Sequence, residues 1–211
     1  MNEMNVSLTP TEKKILQAAT EVFLEKGRRG ARMAEIARRA GINKALLHYY
    51  FRSKDRLYLM VFRLKIRQFF DEIFASLPQT DDIQEFTRQL ISLYIEKLYR
   101  HNQVTQFILW ELAQGGEELR HLFREALHGN QTPRVQYLVE KFRTAMERGE
   151  IARCDVVHLI LTLVGASLYP FIAREVVETI YPDVQVLTPE FVEQRKQEVF
   201  RIVWNGLKPR T

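Results

Sequence analysis

The segment between Met33 and Leu57 constrains the fold of this 211-residue chain more than any other part of it. Apolar or small residues at positions 33, 36, 37 and 40 recur at intervals of three and four, which predicts one face of a short helix. Gly41 follows where a helix most readily ends in a tight turn, and Asn43 is a good N-cap for a second helix. The pattern predicts a helix-turn-helix, whose second helix can enter the major groove of DNA.

The same segment resembles the helix-turn-helix of the TetR/AcrR family of bacterial transcriptional regulators. Asn43 stands in place of the family's usual serine and keeps the cap. Ala45 replaces a glycine that lets the backbone press against a base or phosphate, and His48 replaces a tyrosine. Ala31 and Arg32 occupy the place where the family usually starts the first helix of the motif with threonine or serine. The matching positions, which run without a gap, are Ile36, Ala37, Ala40, Gly41, Ile42, Asn43, Ala45, Leu47, His48, Tyr49, Tyr50, Phe51, Ser53, Lys54, Asp55 and Leu57.

The resemblance implies that the second helix of the motif and its flanks contact DNA. Lys44 lies in the first turn of that helix, where it can reach a phosphate or a guanine edge, and His48 lies one turn further on. Tyr49 and Tyr50 carry hydroxyl donors suited to phosphate oxygens, although Tyr50 shares a side with two apolar residues and is alternatively part of the core. Lys54, in the first turn of the next helix, opposes the helix dipole unless an anion such as phosphate compensates. The predicted DNA-binding residues are Arg32, Asn43, Lys44, Ala45, His48, Tyr49, Tyr50 and Lys54.

The charge of the chain is concentrated at the same end. Residues 1–54 hold eleven lysines and arginines against five acidic residues, a net charge of +6, whereas residues 55–211 hold 20 against 21, a net charge of −1. A basic segment on a near-neutral body is the electrostatic pattern expected of a polyanion-binding domain. A solvated basic surface explains the charge alone, but not the charge and the motif together.

The rest of the chain indicates an all-α protein. No window shows sustained alternation of apolar and polar residues, and apolar positions recur instead at helical spacing. Thr9-Pro10, Asp81-Asp82, Thr132-Pro133 and Thr188-Pro189 supply helix-start signals. We predict an N-terminal three-helix, DNA-binding domain over residues 1–54. A helical-bundle domain for ligand binding and dimerisation is predicted over residues 55–211.

The stretch Val156–Ala173 is the most apolar part of the sequence. It approaches the length of a membrane span, but it contains polar residues and lacks a clear basic flank on one side, so we predict a helix buried on several faces rather than a membrane helix. Pro170 should kink this helix. Cys154 is the only cysteine, and the polar N-terminus lacks a signal-peptide core, so we expect a protein of the cytoplasm without disulfides.

The apolar stretch also predicts a homodimer. Pairing of this helix and the last helix with their symmetry mates in a four-helix bundle would bury it, and the family resemblance implies the same arrangement. The alternative is a wholly intramolecular core. The predicted interface residues are Leu161, Val164, Leu168, Phe171, Val199, Ile202 and Val203.

A bundle interior can host a ligand between its helices, and the resemblance implies that an effector bound in the body moves the two DNA-binding domains and releases DNA. Candidate lining residues are aromatic or polar groups among apolar neighbours. For each of them, ordinary core packing or a surface charge is the alternative. The predicted ligand-binding residues are Tyr94, Phe107, Trp110, Glu111, Tyr137, Tyr169 and Arg174.

Together these features predict a homodimeric, ligand-responsive transcriptional regulator. We expect a repressor that a small, apolar effector releases from a pseudo-palindromic operator. A DNA-binding regulator or nucleoid-type protein without an effector is the alternative. A helical-bundle enzyme is disfavoured, because the sequence carries no glycine-rich phosphate loop, nucleophile elbow or zinc-protease motif. His121 and His128 share a helical face with acidic residues but form no tight ligand cluster, so we expect no metal or cofactor.

Overall fold

The computed structural model describes residues 8–114, 117–128 and 134–209. Within these ranges the chain forms α-helices and no β-strand, so the all-α prediction is confirmed. The helices are α1 (Pro10–Gly30), α2 (Met33–Arg39), α3 (Lys44–Phe51), α4 (Lys54–Ala75), α5 (Ile83–Arg100), α6 (Asn102–Gln114), α7 (Glu117–His128), α8 (Arg134–Glu147), α9 (Val156–Ile172), α10 (Arg174–Ile180) and α11 (Pro189–Leu207).

The helices divide between two compact units. The head unit holds the chain up to Gln68 together with residues 107–123, and the body unit holds residues 69–106 and the chain from Arg124 onward. The domain boundary predicted after residue 54 falls in the first turn of α4 and stays a prediction.

The first helix of the head unit begins as its sequence predicts. The Thr9 hydroxyl accepts a hydrogen bond from the Glu12 backbone N–H, while the Glu12 carboxylate accepts one from the Thr9 N–H, which completes a capping box. Near its other end Gly27 adopts a φ of 64°, a left-handed conformation that other residues rarely adopt. Its inward-facing side chains, including Ile15, Val22 and Phe23, are fully buried.

In the body unit, α5 packs against α9 and α11, which also pack against each other. Ile91, Ile95 and Leu98 of α5 are buried, and the Phe86 ring meets the Phe142 ring of α8 edge to face at 6.1 Å. This aromatic and aliphatic core is what the apolar periodicity of the C-terminal half predicts.

Pro170, where a kink was predicted, lies inside α9, and the helix breaks three residues later, at Ala173 between α9 and α10. Proline donates no backbone hydrogen bond, so the carbonyl four residues earlier, that of Ala166, loses its helical partner. The Arg195 guanidinium from α11 donates to this carbonyl at 2.6 Å, and burial lowers the pKa of Arg195. The helix then turns by 75° into α10, and the Gln106 amide donates to the carbonyl of Phe171 at 3.2 Å. Side chains from neighbouring helices therefore stabilise the bend.

Among the described residues, no single helix combines the length and the apolar character needed to cross a membrane. Only the pair α9 and α10, taken together across their bend, meets that criterion.

Candidate nucleic-acid interface

The second helix of the predicted motif, α3, has one buried and one exposed side. Leu47 and Phe51 face the core of the head unit, with Leu47 fully buried. On the opposite side the structure places Lys44, Ala45, His48 and Tyr49 in solvent. We call these four residues the reading face. Tyr49 is 68% exposed.

The start of α3 is fixed by its predicted cap. The Asn43 side-chain oxygen accepts a hydrogen bond from the backbone N–H of Leu46 at 2.7 Å. Gly41, at a φ of 68°, forms the turn before it. The cap and the glycine turn fix the direction in which α3 leaves α2, and hence the direction of the reading face.

The end of α3 is less regular. Arg52 has φ 59° and ψ −49°, and it is the one non-glycine residue with positive φ in the described ranges. Its N–H donates to the carbonyl of His48 at 2.9 Å. The ring atom Nδ1 of His48 lies 3.2 Å from the carbonyl oxygen of Arg52. The side chain of His48 is thus tied to the end of its own helix.

Two other residues predicted to contact DNA already contact groups within the head unit. Tyr50 is half-buried and meets the Tyr49 ring edge to face at 5.5 Å. The Lys54 ammonium donates to the carbonyl of Ala31 at 3.3 Å. This bond uses one of the three donors of the ammonium group, and the contact of Lys54 with a phosphate stays a prediction. Arg32 is exposed and forms no side-chain cap on α2.

Ion pairs between α1 and α2 hold the base of the motif. Arg39 contacts Glu25 at 2.6 Å and Glu35 at 3.0 Å, and Lys26 contacts Glu35 at 2.7 Å. Hydrogen bonding from Arg39 lowers the pKa of Glu25, and hydrogen bonding from Lys26, followed by Arg39, lowers the pKa of Glu35. The sequence showed these charges only as part of a basic surplus.

Phe107 and Glu111, which were predicted to line a ligand cavity, lie in the head unit beside Tyr58. The Tyr58 ring is fully buried, lies 5.6 Å from the Phe107 ring, and has the Arg28 guanidinium 5.4 Å from its centre. Burial, followed by the neighbouring Glu111 carboxylate, raises the pKa of Tyr58 well above its ordinary value. Both predicted liners therefore belong to a packed core of the head unit, and this corrects their assignment as cavity residues.

The other predicted ligand-binding residues do not converge on one cavity. Trp110, in the head unit, is 66% exposed, while Tyr137 and Tyr169, in the body unit, are also exposed. Arg174 pairs with neighbouring carboxylates on its own helix. Tyr94 is half-buried within the body unit, and burial raises its pKa to about 12. The exposed side chains are corrected from cavity lining to surface, because sequence spacing cannot tell which side of a helix its neighbours cover.

A polar groove of about 220 Å³ lies in the body unit between the start of α5 and α8. Tyr137 is the one predicted ligand-binding residue on its wall. Its other lining residues are Asp81, Ile83, Glu140, Lys141, Thr144, Ala145, Arg148 and Glu150. The mixed charges make it unsuited to the apolar effector that the sequence predicts.

The predicted dimer residues fall into two groups. Leu161 and Ile202 are 59% and 62% exposed, and Val164 and Leu168 are half-buried. In contrast, Phe171, Val199 and Val203 are buried within the chain. These three are corrected to core residues, since α9 and α11 turn them toward the protomer's own bundle.

Sequence reasoning missed a set of exposed apolar side chains on the same helices. Three of them, Ile172, Val176 and Ile180, recur at intervals of four, a spacing that was visible in the sequence. We call the whole set, together with Leu161 and Ile202, the apolar face. The additional members are Val157, Tyr169, Ile172, Val176 and Ile180.

Metal-ligating side chains do not gather in the part of the chain that the structure describes, where no group of three histidine, cysteine or acidic residues could hold an ion. The side chain of His128 lies outside the described residues.

Comparison with known proteins identifies the helix-turn-helix. Residues 15–61 match the family described as bacterial regulatory proteins, tetR family. The chain is 28% identical to the HTH-type transcriptional regulator RutR of Escherichia coli K12 over 216 residues, which cover 97% of this chain and 93% of RutR.

Two solved structures share the fold over nearly their whole length. The fatty acid degradation regulator FadR from Bacillus halodurans is similar with a TM-score of 0.70 at 21% identity, covering 97% of this chain and 100% of that one. FadR from Bacillus subtilis, solved in complex with stearoyl-CoA, is similar with a TM-score of 0.67 at 21% identity, covering 92% and 98%. The motif, the whole-length likeness to RutR and the shared fold agree: residues 15–61 carry the DNA-binding domain of the TetR family, and the whole chain is similar to bacterial transcriptional regulators.

Proposed function

We propose that the chain is a homodimeric repressor that binds a pseudo-palindromic operator through the reading face and releases it when a small apolar effector binds. The observation that carries this proposal is the reading face itself. Lys44, His48 and Tyr49 are exposed on the outer side of a helix whose inner side is buried. A major groove supplies hydrogen-bond partners for all three side chains.

We assign different tasks to the predicted DNA-binding residues. Lys44 and Tyr49 project from the first two turns of α3 and would contact base edges and phosphates. Ala45 lies between them and would let the helix approach the groove closely. Arg32, exposed at the start of α2, would contact the phosphate backbone. Tyr50 and Lys54, which have partners within the head unit, would support these contacts from the side. Asn43 would act through its cap.

Homodimerisation is supported by the apolar face. A stable interface takes roughly 20 to 30 residues on each side, more than the four exposed or half-buried residues of the sequence prediction. Ile172 at the end of α9 and Val176 and Ile180 on α10 add to that surface, and α10 buries no residue within the chain. Two copies joined through this face would present two reading faces to half-sites about one helical turn, ~34 Å, apart.

The apolar effector is supported by the relatives. FadR from Bacillus subtilis was solved with stearoyl-CoA, a ligand with a long apolar chain. In this chain Tyr94 is half-buried in the body unit, and we propose it as a contact of the effector.

The DNA-binding half of the proposal is tested by selecting duplexes from a random library with the full-length protein and measuring affinity for the enriched sequence. The double variant Lys44→Ala, Tyr49→Ala should weaken binding by 100-fold or more, because two contacts of about 1–3 kcal/mol each are lost. Arg153→Ala, which removes an exposed cation from the body unit, serves as control and should change affinity less than threefold. An unchanged affinity of the double variant contradicts the assignment of the reading face.

The effector half is tested by adding stearoyl-CoA to the protein–operator complex. The proposal is supported if stearoyl-CoA releases the duplex from the wild-type protein at concentrations that leave the Tyr94→Ala variant bound to it. Persistent binding, across acyl-CoA chains of different length and the free acids, favours the alternative regulator that has no effector of this class.

A further inference from the structure

The contact between His48 and Arg52 determines which ring nitrogen of His48 carries a proton. Nδ1 lies 3.2 Å from the carbonyl oxygen of Arg52. A carbonyl oxygen can only accept a hydrogen bond, so Nδ1 must be the donor. In a neutral imidazole the other nitrogen, Nε2, is then unprotonated and can only accept.

The carbonyl of Arg52 reaches His48 because of an unusual backbone. In a helix every carbonyl points toward the C-terminus, away from a side chain four residues earlier. Here the Ser53 N–H donates to the carbonyl of Phe51, which makes Arg52 the centre of a three-residue turn with positive φ. That conformation costs energy in a non-glycine residue, and it directs the Arg52 carbonyl back toward the reading face.

His48 and Arg52 are therefore joined twice. The Arg52 N–H donates to the His48 carbonyl at 2.9 Å, and the His48 ring donates to the Arg52 carbonyl. The two bonds fix both the position of the ring along α3 and the nitrogen that it turns outward. His48 is exposed, so Nε2 is available to a ligand.

We propose that the strained turn at Arg52 makes His48 a specificity-determining residue, which accepts a hydrogen bond from an exocyclic amino group of a base in the major groove. The major-groove edges offer two such donors, N6 of adenine and N4 of cytosine, whereas guanine and thymine present only acceptors there. Nε2 held as an acceptor favours the first pair and rejects the second. This inference rests on the proposed function, since it concerns the base that the reading face selects.

The tautomer is tested on the full-length protein without DNA. Nitrogen-15 NMR of histidine-labelled protein at about pH 8, above the ordinary histidine pKa of ~6.5, resolves the two ring nitrogens. His48→Ala identifies the His48 signals among those of the five histidines. We expect a proton on Nδ1 and none on Nε2, and the opposite tautomer would overturn the inference.

The base is tested on the duplex enriched by the wild-type protein. Each adenine is replaced in turn by purine deoxynucleoside, and each cytosine by its 2-pyrimidinone analogue, which removes the exocyclic amino group and leaves the ring. One replacement in each half-site should weaken wild-type binding about threefold to tenfold, the worth of one hydrogen bond, and should have no effect on His48→Ala. Whether that base is adenine or cytosine identifies the donor. If sensitivity to His48 instead falls on guanine, shown with 7-deazaguanine, the inference is wrong.

The role of the turn is tested with two variants that remove the same guanidinium. Arg52→Gly adopts positive φ freely and should keep the dependence on the amino group, whereas Arg52→Val disfavours positive φ and should lose it. Equal discrimination by both variants would overturn the role of the turn. If the wild-type protein enriches no sequence at all, the proposed function fails. The tautomer measurement separates that outcome from a failure of this inference, because it needs no DNA.

Discussion

The reading face and the apolar face are exposed to a similar degree and differ in chemistry. Tyr49 is 68% exposed, while Leu161 and Ile202 are 59% and 62% exposed. The first face combines a cation, an imidazole and a phenol, and the second is aliphatic with one tyrosine. Exposure shows that a surface is available to a partner, whereas its chemistry indicates which partner. Hydrogen-bonding groups on a basic unit suit a polyanion, and large apolar side chains suit another protein surface.

The two faces are also built differently. The reading face is directed by local devices within about ten residues, namely the Asn43 cap, the Gly41 turn and the strained Arg52. The apolar face depends on long-range contacts, since the bend after α9 is stabilised by Arg195 and Gln106 from other helices. A local device can be read from sequence, and a long-range one cannot.

The largest expected effect is the loss of the dimer when a residue of the apolar face is changed. Leu161→Glu places an unpaired charge in an apolar interface, a change that costs several kcal/mol. We expect dimer affinity to fall about 10³-fold or more, with monomers in light scattering or sedimentation. Gln197→Glu, an exposed change on another side of α11, should leave the dimer intact. A dimer that persists in Leu161→Glu and in Ile202→Glu means that the apolar face is not the interface.

Salt should distinguish the two associations next. Raising the salt concentration from about 50 to 200 mM should weaken operator binding about 10²-fold to 10³-fold, if roughly four to six phosphates are contacted. Dimer affinity should change by less than threefold, because apolar contacts are not screened. Fluorescence anisotropy and sedimentation measure the two. Equal salt dependence of operator binding and dimer formation would contradict the assignment of different chemistry to the two faces.

A smaller effect is expected at the start of the reading face. Asn43→Ala removes the cap bond to the Leu46 N–H and should lower the free energy of unfolding by about 1 kcal/mol. Asn43→Ser keeps a capping oxygen and should lower it by only a few tenths. Urea denaturation followed by circular dichroism provides the comparison. Equal losses in both variants would show that the cap is not what holds this end of α3.

The smallest expected effect is a loss of stability at acid pH. The pKa values of Glu25 and Glu35 are lowered in the folded protein, so their ionised forms stabilise it. That contribution is complete above the ordinary glutamate pKa of about 4.5 and is lost as the pH falls through the lowered values. The urea midpoint should therefore decline between about pH 5 and pH 3. Arg39→Gln should make this decline shallower, and Arg153→Gln should not. A decline that is unaffected by Arg39→Gln would assign acid sensitivity to other carboxylates.

The sequence predicted much of the head unit and less of the body. The capping box at Thr9, the turn at Gly41 and the cap at Asn43 follow from residue types a few positions apart, and the structure contains all of them. The bend predicted at Pro170 lies three residues later, at Ala173. Lys54 differs, because its partner Ala31 lies 23 residues away, and no local pattern reveals that contact.

The errors share one physical cause. Phe171, Val199 and Val203 are apolar and belong to the same helices as the exposed Leu161 and Ile202. Helical spacing gives the face on which a residue lies, but not whether that face meets the protomer's own core or solvent. Glu111 was likewise placed in a cavity because it is polar among apolar neighbours, although the partner that explains its burial, Tyr58, is 53 residues away in sequence.

Amide hydrogen exchange of the full-length protein with and without its selected operator tests the separation of the two faces most directly. The measurement is made at a protein concentration where the dimer is complete. We predict that DNA slows exchange in the segment from Asn43 to Lys54 and leaves α9, α10 and α11 unchanged. Slowed exchange in those three helices, with the segment from Asn43 to Lys54 unaffected, would contradict the assignment of DNA binding to the reading face.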